Sequence, residues 1–432
     1  MKCLTGQILD YADDPRRAGD SAIRHIEDGV IVIGDDGRIA WSGERSDLPA
    51  NYATLETIDY GRKLILPGLI DAHLHFPQYR MLAAFGKDLL DWLNRYTFIE
   101  EQRYCDGEIA AAAARAFLDE LLRNGITSCL AFSTIHPVAL DCLFDEASRR
   151  NMAVASGKTL MDRNAPQGLL DTPQAAYDDS TALIAKWHGK GRLKYAISPR
   201  FAVTSTEAQL EATGTLVKEN PGLLIQTHLS ENPAEVEFVA SQFPWSKDYT
   251  DVYDRYGLLT PSSLFAHGIH LSERELARLS EAQSAVVHCP TSNNFLGSGL
   301  FRLHHTTESD HPVNVGVGCD VAGGMSYSMF DTLRDAFTVS QLVGSRISAH
   351  EAFFRATLGN ARLLGTDKEV GTLEAGKYAD LVVLDPCATP LMAERHALSR
   401  DLHDVLFALM ILGDDRAVAE TWVAGDPVKP RS

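Results

Sequence analysis

The chain has 432 residues, of which 45% are apolar and 23% charged, the balance of an ordinary globular protein with room for two or three domains. Forty Lys and Arg against 58 Asp and Glu give a formal net charge of −18. Such a surface repels phosphate backbones and anionic headgroups and argues against nucleic acid and membrane as partners. The seven cysteines are scattered, with no CxxC pair, which speaks against a disulfide framework and an all-cysteine zinc site and fits a reducing cytoplasm. Met1-Lys2-Cys3-Leu4-Thr5-Gly6 turns polar before an apolar signal-peptide core forms.

In chain order, residues 29–43 (GVIVIGDDGRIAWSG) predict two strands joined at Asp36-Gly37, a strong hairpin signal. Short apolar runs then alternate with helical patterns. Strands are predicted at 69–75, 126–132, 152–157, 193–198, 223–228, 263–267, 284–288 and 313–319, with helices at 107–123, 138–149, 174–187, 206–218, 272–282 and 328–342. Thr204-Ser205-Thr206-Glu207 and Ser272-Glu273-Arg274-Glu275 have the capping-box pattern. Eight strands alternating with helices predict a parallel (β/α)8 barrel; an open doubly wound sheet is the alternative, but no Gly-rich dinucleotide fingerprint follows the first strand. Toward the end, 378–385 predicts a further strand and 420–428 a second hairpin turning at Gly425-Asp426. Neither end can bury a sheet face alone, so the two are expected to pair into one small β-domain.

Chemistry in a parallel barrel sits at the carboxyl ends of the strands. The first predicted strand ends in His73-Leu74-His75, whose i and i+2 side chains share a face roughly 6.5–7 Å apart. The fifth ends in His228, the sixth in His267, and the eighth in Asp320 after Val315-Gly316-Val317-Gly318-Cys319. Imidazoles plus a carboxylate suit Zn2+ or Fe2+. Glu231 follows His228 by three residues at the same mouth, where it could shuttle a proton; a first-turn glutamate favouring the positive end of the next helix is the other reading.

The motif Pro67-Gly68-Leu69-Ile70-Asp71-Ala72-His73-Leu74-His75 resembles the metal-binding signature of the amidohydrolase superfamily, and 371–382 (GTLEAGKYADLV) resembles that superfamily's return to a small β-sandwich. The resemblance implies a TIM-like (β/α)8 barrel at 67–368 and a discontinuous β-sandwich domain at 1–66 and 369–432. Many members bridge two metals with a lysine after strand four. That strand here, 193–200 (LKYAISPR), carries none at its carboxyl end, so one divalent metal, Zn2+ or Fe2+, is expected on His73, His75, His228 and Asp320, with His267 contacting the bound water.

Further motifs, namely His75-Phe76-Pro77-Gln78, 161–166 (MDRNAP), Pro199-Arg200-Phe201, His228-Leu229-Ser230-Glu231 and Cys289-Pro290-Thr291-Ser292-Asn293, resemble those of the guanine deaminases of that superfamily. This implies hydroxide on the metal attacking C2 of guanine, Glu231 protonating N3 and helping to expel ammonia, and His267 and Asp320 orienting the water. Gln78 and Arg200 would then bind the purine edge and Phe201 its face, each with a plainer alternative as loop, ion-pair or core residue. A homodimer in the cytoplasm is implied as well. Rival activities are deamination of cytosine, a triazine or a modified adenosine, hydantoinase-like ring opening, and an inactive scaffold. Lys158 is read as structural or substrate-side and His288 is given no role. His136 and His270 are left to structure, His304, His305 and His311 are expected in an exposed loop, and Cys129, Cys289 and Cys319 are expected to pack in the core.

Overall fold

The computed structural model describes residues 1–87 and 89–430; Asp88, and Arg431 and Ser432 at the end of the expected sandwich segment, lie outside the described residues. Eight parallel strands form the barrel in chain order: Leu69–His75, Ile126–Phe132, Ala153–Gly157, Lys194–Pro199, Leu224–Leu229, Ser263–His267, Ala285–His288 and Asn314–Val317. All eight predicted strands are present, within a residue or two at each end. Ile70, Ala72, Leu130, Ala155, Ala196, Leu224, Leu264, Ala285 and Val287 pack into the barrel interior. No helix among the described residues is long and apolar enough to cross a membrane.

The helices form for local reasons that also aim them at the barrel. Gly107–Arg123 starts at Asp106, whose carboxylate accepts from the N–H groups of Glu108 and Ile109. It buries Ala110, Ala113, Ala114, Phe117, Leu118, Leu121 and Leu122, the stripe expected of a 3.6-residue period. Ser272 and Glu275 make the predicted capping box of helix Glu273–Glu281. The other predicted box is not made. Thr206, not Thr204, caps helix Glu207–Glu219 by accepting from Gln209 N, and Glu207 instead accepts from Trp245 and Tyr256.

The barrel closes between its first and eighth strands with few bonds. Asp320 N donates to His73 O at 2.9 Å and His75 N to Val321 O at 2.9 Å. Lower down, the Asn360 amide bridges the strands by donating to Ile70 O and Val317 O and accepting from Val317 N. The backbones run so close that a Cβ at Gly318 would lie 2.7 Å from His73 O, so only glycine fits there.

Both chain ends build a seven-stranded mixed sheet in the order 426–427, 418–423, 381–384, 57–67, 2–11, 23–33, 39–44. Strand Leu381–Leu384 pairs directly with Thr57–Pro67, so the ends meet as expected. Alternation is strict at this junction. Leu64, Leu66, Val382 and Leu384 face the barrel, while Ile65, Leu381 and Val383 face the small domain's own core with Leu4, Ile8, Ile31 and Trp422. The second hairpin turns at Ala424-Gly425, one residue earlier than predicted, because Val423 pairs with Asp426 and both turn residues take positive φ.

A buried ion pair ties sheet to barrel. Arg192, just before the fourth barrel strand, donates from Nη1 and Nη2 to the Asp380 carboxylate at 2.9 and 2.5 Å, and the Asp380 Oδ1 also accepts from Ala424 N. Removing one partner of such a pair strands the other charge in a dry site. Asp380→Asn should therefore lower the unfolding free energy by about 3–5 kcal/mol, read as a fall in the denaturant midpoint. A midpoint unchanged from wild type would mean that this junction carries no such load.

Candidate metal centre and substrate cavity

The first strand presents its histidines inward through a change of register. Ile70 and Ala72 point into the interior, a shift between Asp71 and Leu74 follows, and His73 and His75 then face inward while Leu74 joins the outer core. Asp71 fixes this turn of the chain. Its fully buried carboxylate accepts from His73 N at 3.0 Å and from Cys319 N at 3.2 and 3.3 Å, linking the His-x-His segment to the residue beside Asp320. Burial pushes the Asp71 carboxyl up to about 6. Asp320 (φ 50°) and His267 (φ 72°) both sit in the left-handed region, where non-glycine residues are strained and cluster at functional sites.

His73, His75, His228 and Asp320 converge, their ligand atoms all within 4.8 Å of one another. Asp320 Oδ1 lies 3.2 Å from His73 Nε2 and 3.3 Å from His75 Nε2, and the Nε2 atoms of His75 and His228 stand 3.2 Å apart. His228 Nδ1 faces Arg200 O at 2.7 Å; a carbonyl only accepts, so Nδ1 carries the proton and Nε2 presents a lone pair. Burial lowers His75 to about 3 and His228 well below the usual histidine range, so both are neutral at neutral pH. Burial would raise the Asp320 carboxyl, but the facing imidazoles, His73 first, hold it well below its usual range. The Nε2 atoms of His75 and His228 face each other, and His73 Nε2 has no hydrogen-bond partner. A divalent cation satisfies all four donors at once, and three imidazoles with one carboxylate suit Zn2+. The fourth strand ends in Pro199, followed by Arg200, where a bridging lysine would otherwise stand.

His267 stands on the far side of Asp320, with Nε2 3.8 Å from Asp320 Oδ2 and 3.4 Å from Glu231 Oε2. Its Nδ1 lies 2.9 Å from Asn293 Oδ1, which sets Nδ1 as the donor and leaves Nε2 to face the two carboxylates. A second grouping, His267, Cys289 and Asp320, also has metal-ligand spacing. Burial pushes the Cys289 thiol well above its usual range, so the three imidazoles offer the better cation site.

Glu231 is aimed by the turn that follows the fifth strand. Asn232 caps helix Pro233–Gln242 in a capping box with Glu235, and the Glu235 carboxylate holds the N–H groups of Glu231 and Asn232 at 2.9 and 3.1 Å. The Glu231 side chain is thus free of capping duty and accepts from Ser298 Oγ at 3.1 Å. Burial, with the Asp320 charge adding to it, pushes its carboxyl up to about 8.

These groups open into a small cavity lined also by Gln78, Arg200, Phe201, Leu89, Trp92 and Leu93. Every sequence-predicted site residue except His73 lines this cavity, and His73 joins His75, His228 and Asp320 in the ligand cluster. The amide of Gln78 is already held at both ends, donating to Glu101 at 2.8 Å and accepting from Ala322 N at 3.1 Å. Arg200 donates from Nη1 to both Glu101 oxygens. Sequence reasoning missed Asp71 as a brace, Asn293 and Ser298 as partners of His267 and Glu231, Glu101, and the apolar wall of Leu89, Trp92 and Leu93. Asp71 and Asn293 lay inside the quoted motifs; a fixed role there was the available signal.

Other histidines depart from expectation or stay apart from the site. His304 and His305 lie in helix Leu303–Glu308, not in a loop, and His304 is buried there because Glu351 and Ser345 supply polar partners; His305 is exposed on that helix and His311 is exposed outside it, as expected. His288 stacks on Phe301 at 4.7 Å and does not line the cavity, and His270 binds Ser298 O. Lys158 is buried against Asp171 and Asp179, where burial lowers it to about 8, and does not line the cavity.

Three imidazoles and a carboxylate at the carboxyl ends of barrel strands, on the floor of a small cavity, define a metal-dependent hydrolase barrel. The amidohydrolase family model matches residues 64–428, and the chain belongs to that family. Over its whole length it is 45% identical to the guanine deaminase of Escherichia coli (strain K12), spanning 98% of that protein. The solved structure of E. coli guanine deaminase matches with a TM-score of 0.95 at 44% identity, over all of both chains. Guanine deaminase from Bradyrhizobium japonicum matches at 0.95 and 40%, over 100% of this chain and 99% of that one. The enzyme from C. acetobutylicum, with guanine in its active site, matches at 0.89 and 30%, over 99% of each.

Because Asp71 braces both the His73 backbone and the segment leading to Asp320, Asp71→Asn should weaken metal binding by about 10–100-fold, the usual effect of losing an outer support. Titration against a chromophoric chelator measures this. An affinity equal to wild type would show that the four donors converge without the brace.

Proposed function

We propose that the protein hydrolyses guanine to xanthine and ammonia. The observation that carries this is the convergence of the His73, His75, His228 and Asp320 donors beneath a small cavity that also holds a buried carboxylic acid, an amide, a guanidinium and a phenyl ring. The full-length likeness to guanine deaminases supports the choice of ring.

His73, His75, His228 and Asp320 would hold a divalent cation, which would lower the pKa of water to about 7 and so make a nucleophile available at neutral pH. The protein's own groups do the remaining work. Gln78 and Arg200 hold the polar edge of the base, and Phe201 offers a face beside it, so that C2 is presented to the donors' side of the cavity. Glu231, protonated at neutral pH by its burial, gives its proton to N3 as the new C2–O bond forms. Asp320 and the Nε2 of His267 accept hydrogen bonds from the attacking water and hold its orientation. The proton of the new C2 hydroxyl passes through the Glu231 carboxylate to the exocyclic nitrogen, C2=O forms as the C2–N bond breaks, and ammonia leaves while N3 keeps its proton. A neutral planar base needs no basic groove, in keeping with the chain's net charge.

The cytoplasm is the compartment that fits seven free cysteines. The homodimer rests on family likeness, and sedimentation velocity tests it.

Ammonia release from guanine, measured beside cytosine and a triazine with metal content determined on the same sample, tests the activity. Turnover of guanine with about one metal per chain is expected; an inert response to guanine with turnover of another ring would overturn the substrate. Glu231→Gln should keep its metal and lose about 10²–10⁴ in kcat. The pH profile has a defined sign. A carboxyl raised to about 8 is protonated below that value and loses its proton as pH rises through it, so kcat should fall on the alkaline side. A kcat still rising there would remove Glu231 as the acid.

A further inference from the structure

Glu101 does not line the cavity and has no part in the chemistry above, yet it holds two of the proposed guanine contacts at once. Its carboxylate, 0% exposed, accepts from Gln78 Nε2 at 2.8 Å and from Arg200 Nη1 at 2.9 and 2.7 Å, and the Arg200 side chain is itself only 3% exposed. Phe98, one helical turn earlier, sets its ring 5.6 Å from the guanidinium. Both residues lie on helix Phe98–Glu101, in the chain between the first and second barrel strands that also supplies Leu89, Trp92 and Leu93 to the cavity wall.

A guanidinium keeps its charge in proteins, and an unpaired one in a dry cavity attracts any anion strongly. Paired with Glu101, Arg200 keeps N–H donors for a ligand carbonyl while the pair as a whole is neutral. We propose that Glu101 is a positioning residue that sets the charge selectivity of the cavity: it fixes Gln78 and Arg200 for a neutral oxo-purine and disfavours oxo-purine anions. This rests on the guanine reading. It has a consequence for turnover, because hydrolysis replaces the amine of guanine with a second carbonyl, and the resulting dioxo ring gives up a ring N–H proton more readily than guanine does. A site neutral at Arg200 does not retain that anion.

The test uses metal-loaded wild type, Glu101→Gln and Glu101→Asp. Binding at neutral pH is measured by calorimetry for hypoxanthine, a neutral oxo-purine, and for urate, a monoanion, alongside guanine kinetics. In wild type, urate should bind more weakly than hypoxanthine. In Glu101→Gln the urate-to-hypoxanthine affinity ratio should rise about tenfold or more, with KM for guanine up about tenfold and kcat within a few-fold. Glu101→Asp, which keeps the charge, should keep the wild-type ratio. An unchanged ratio in Glu101→Gln, or a fall in kcat at constant KM, would overturn the proposal. If the Gln variant does not fold, tighter binding of urate than of hypoxanthine by wild type overturns it as well. Wild type that binds both ligands but releases no ammonia from guanine would instead refute the guanine reading, since the calorimetry needs no turnover.

Discussion

The closure of the eighth barrel strand onto the first brings Asp320 to the His73–His75 pair, and the rest of the site depends on that seam. Two backbone bonds, the bridging amide of Asn360 and the buried Asp71 carboxylate make the join, and Gly318 lets the chains approach. The same seam gathers like groups. A cation held by these donors would link the first and eighth strands, so metal binding and barrel closure stabilise one another. A chain that failed to close here would keep its histidines and lose its site.

From this floor the cavity is built outward by strand-end turns with unrelated local reasons for their shape. The capping box after the fifth strand frees Glu231 by giving the helix N-terminus to Asn232 and Glu235. Helix Pro290–Phe295, after the seventh, delivers Asn293 to His267. The long connection after the first strand supplies both an apolar wall and Glu101. The surface is strongly acidic, but the cavity's own charges are paired or shifted by burial, and a neutral ring is the ligand such a site suits.

The barrel was legible because its strands are short apolar runs between amphipathic helices, and the metal ligands because each breaks such a run at its polar end. Glu231 was legible from its distance to His228. Glu101 was not: in Phe98-Ile99-Glu100-Glu101 two adjacent glutamates look alike in sequence, yet Glu100 pairs with Arg80 and Arg103 at the surface while Glu101 is buried against Arg200. Leu89, Trp92 and Leu93 belong to a short helix and a π-turn too brief to show a period. Thr204 fits a capping pattern that Thr206 fulfils, since the first turn after the fourth strand is a 3-10 helix that carries Thr204 away from the helix start. His304 looked exposed because its partner Glu351 lies far along the chain.

The position of the metal decides the chemistry, and at the cavity two groupings of side chains that share Asp320 compete for it. Anomalous diffraction at the metal edge from crystals of the holoprotein locates it directly. One peak within about 2.0–2.2 Å of His73, His75, His228 and Asp320 is the predicted result. A peak on His267, Cys289 and Asp320, or two metals in the same cavity, would contradict it.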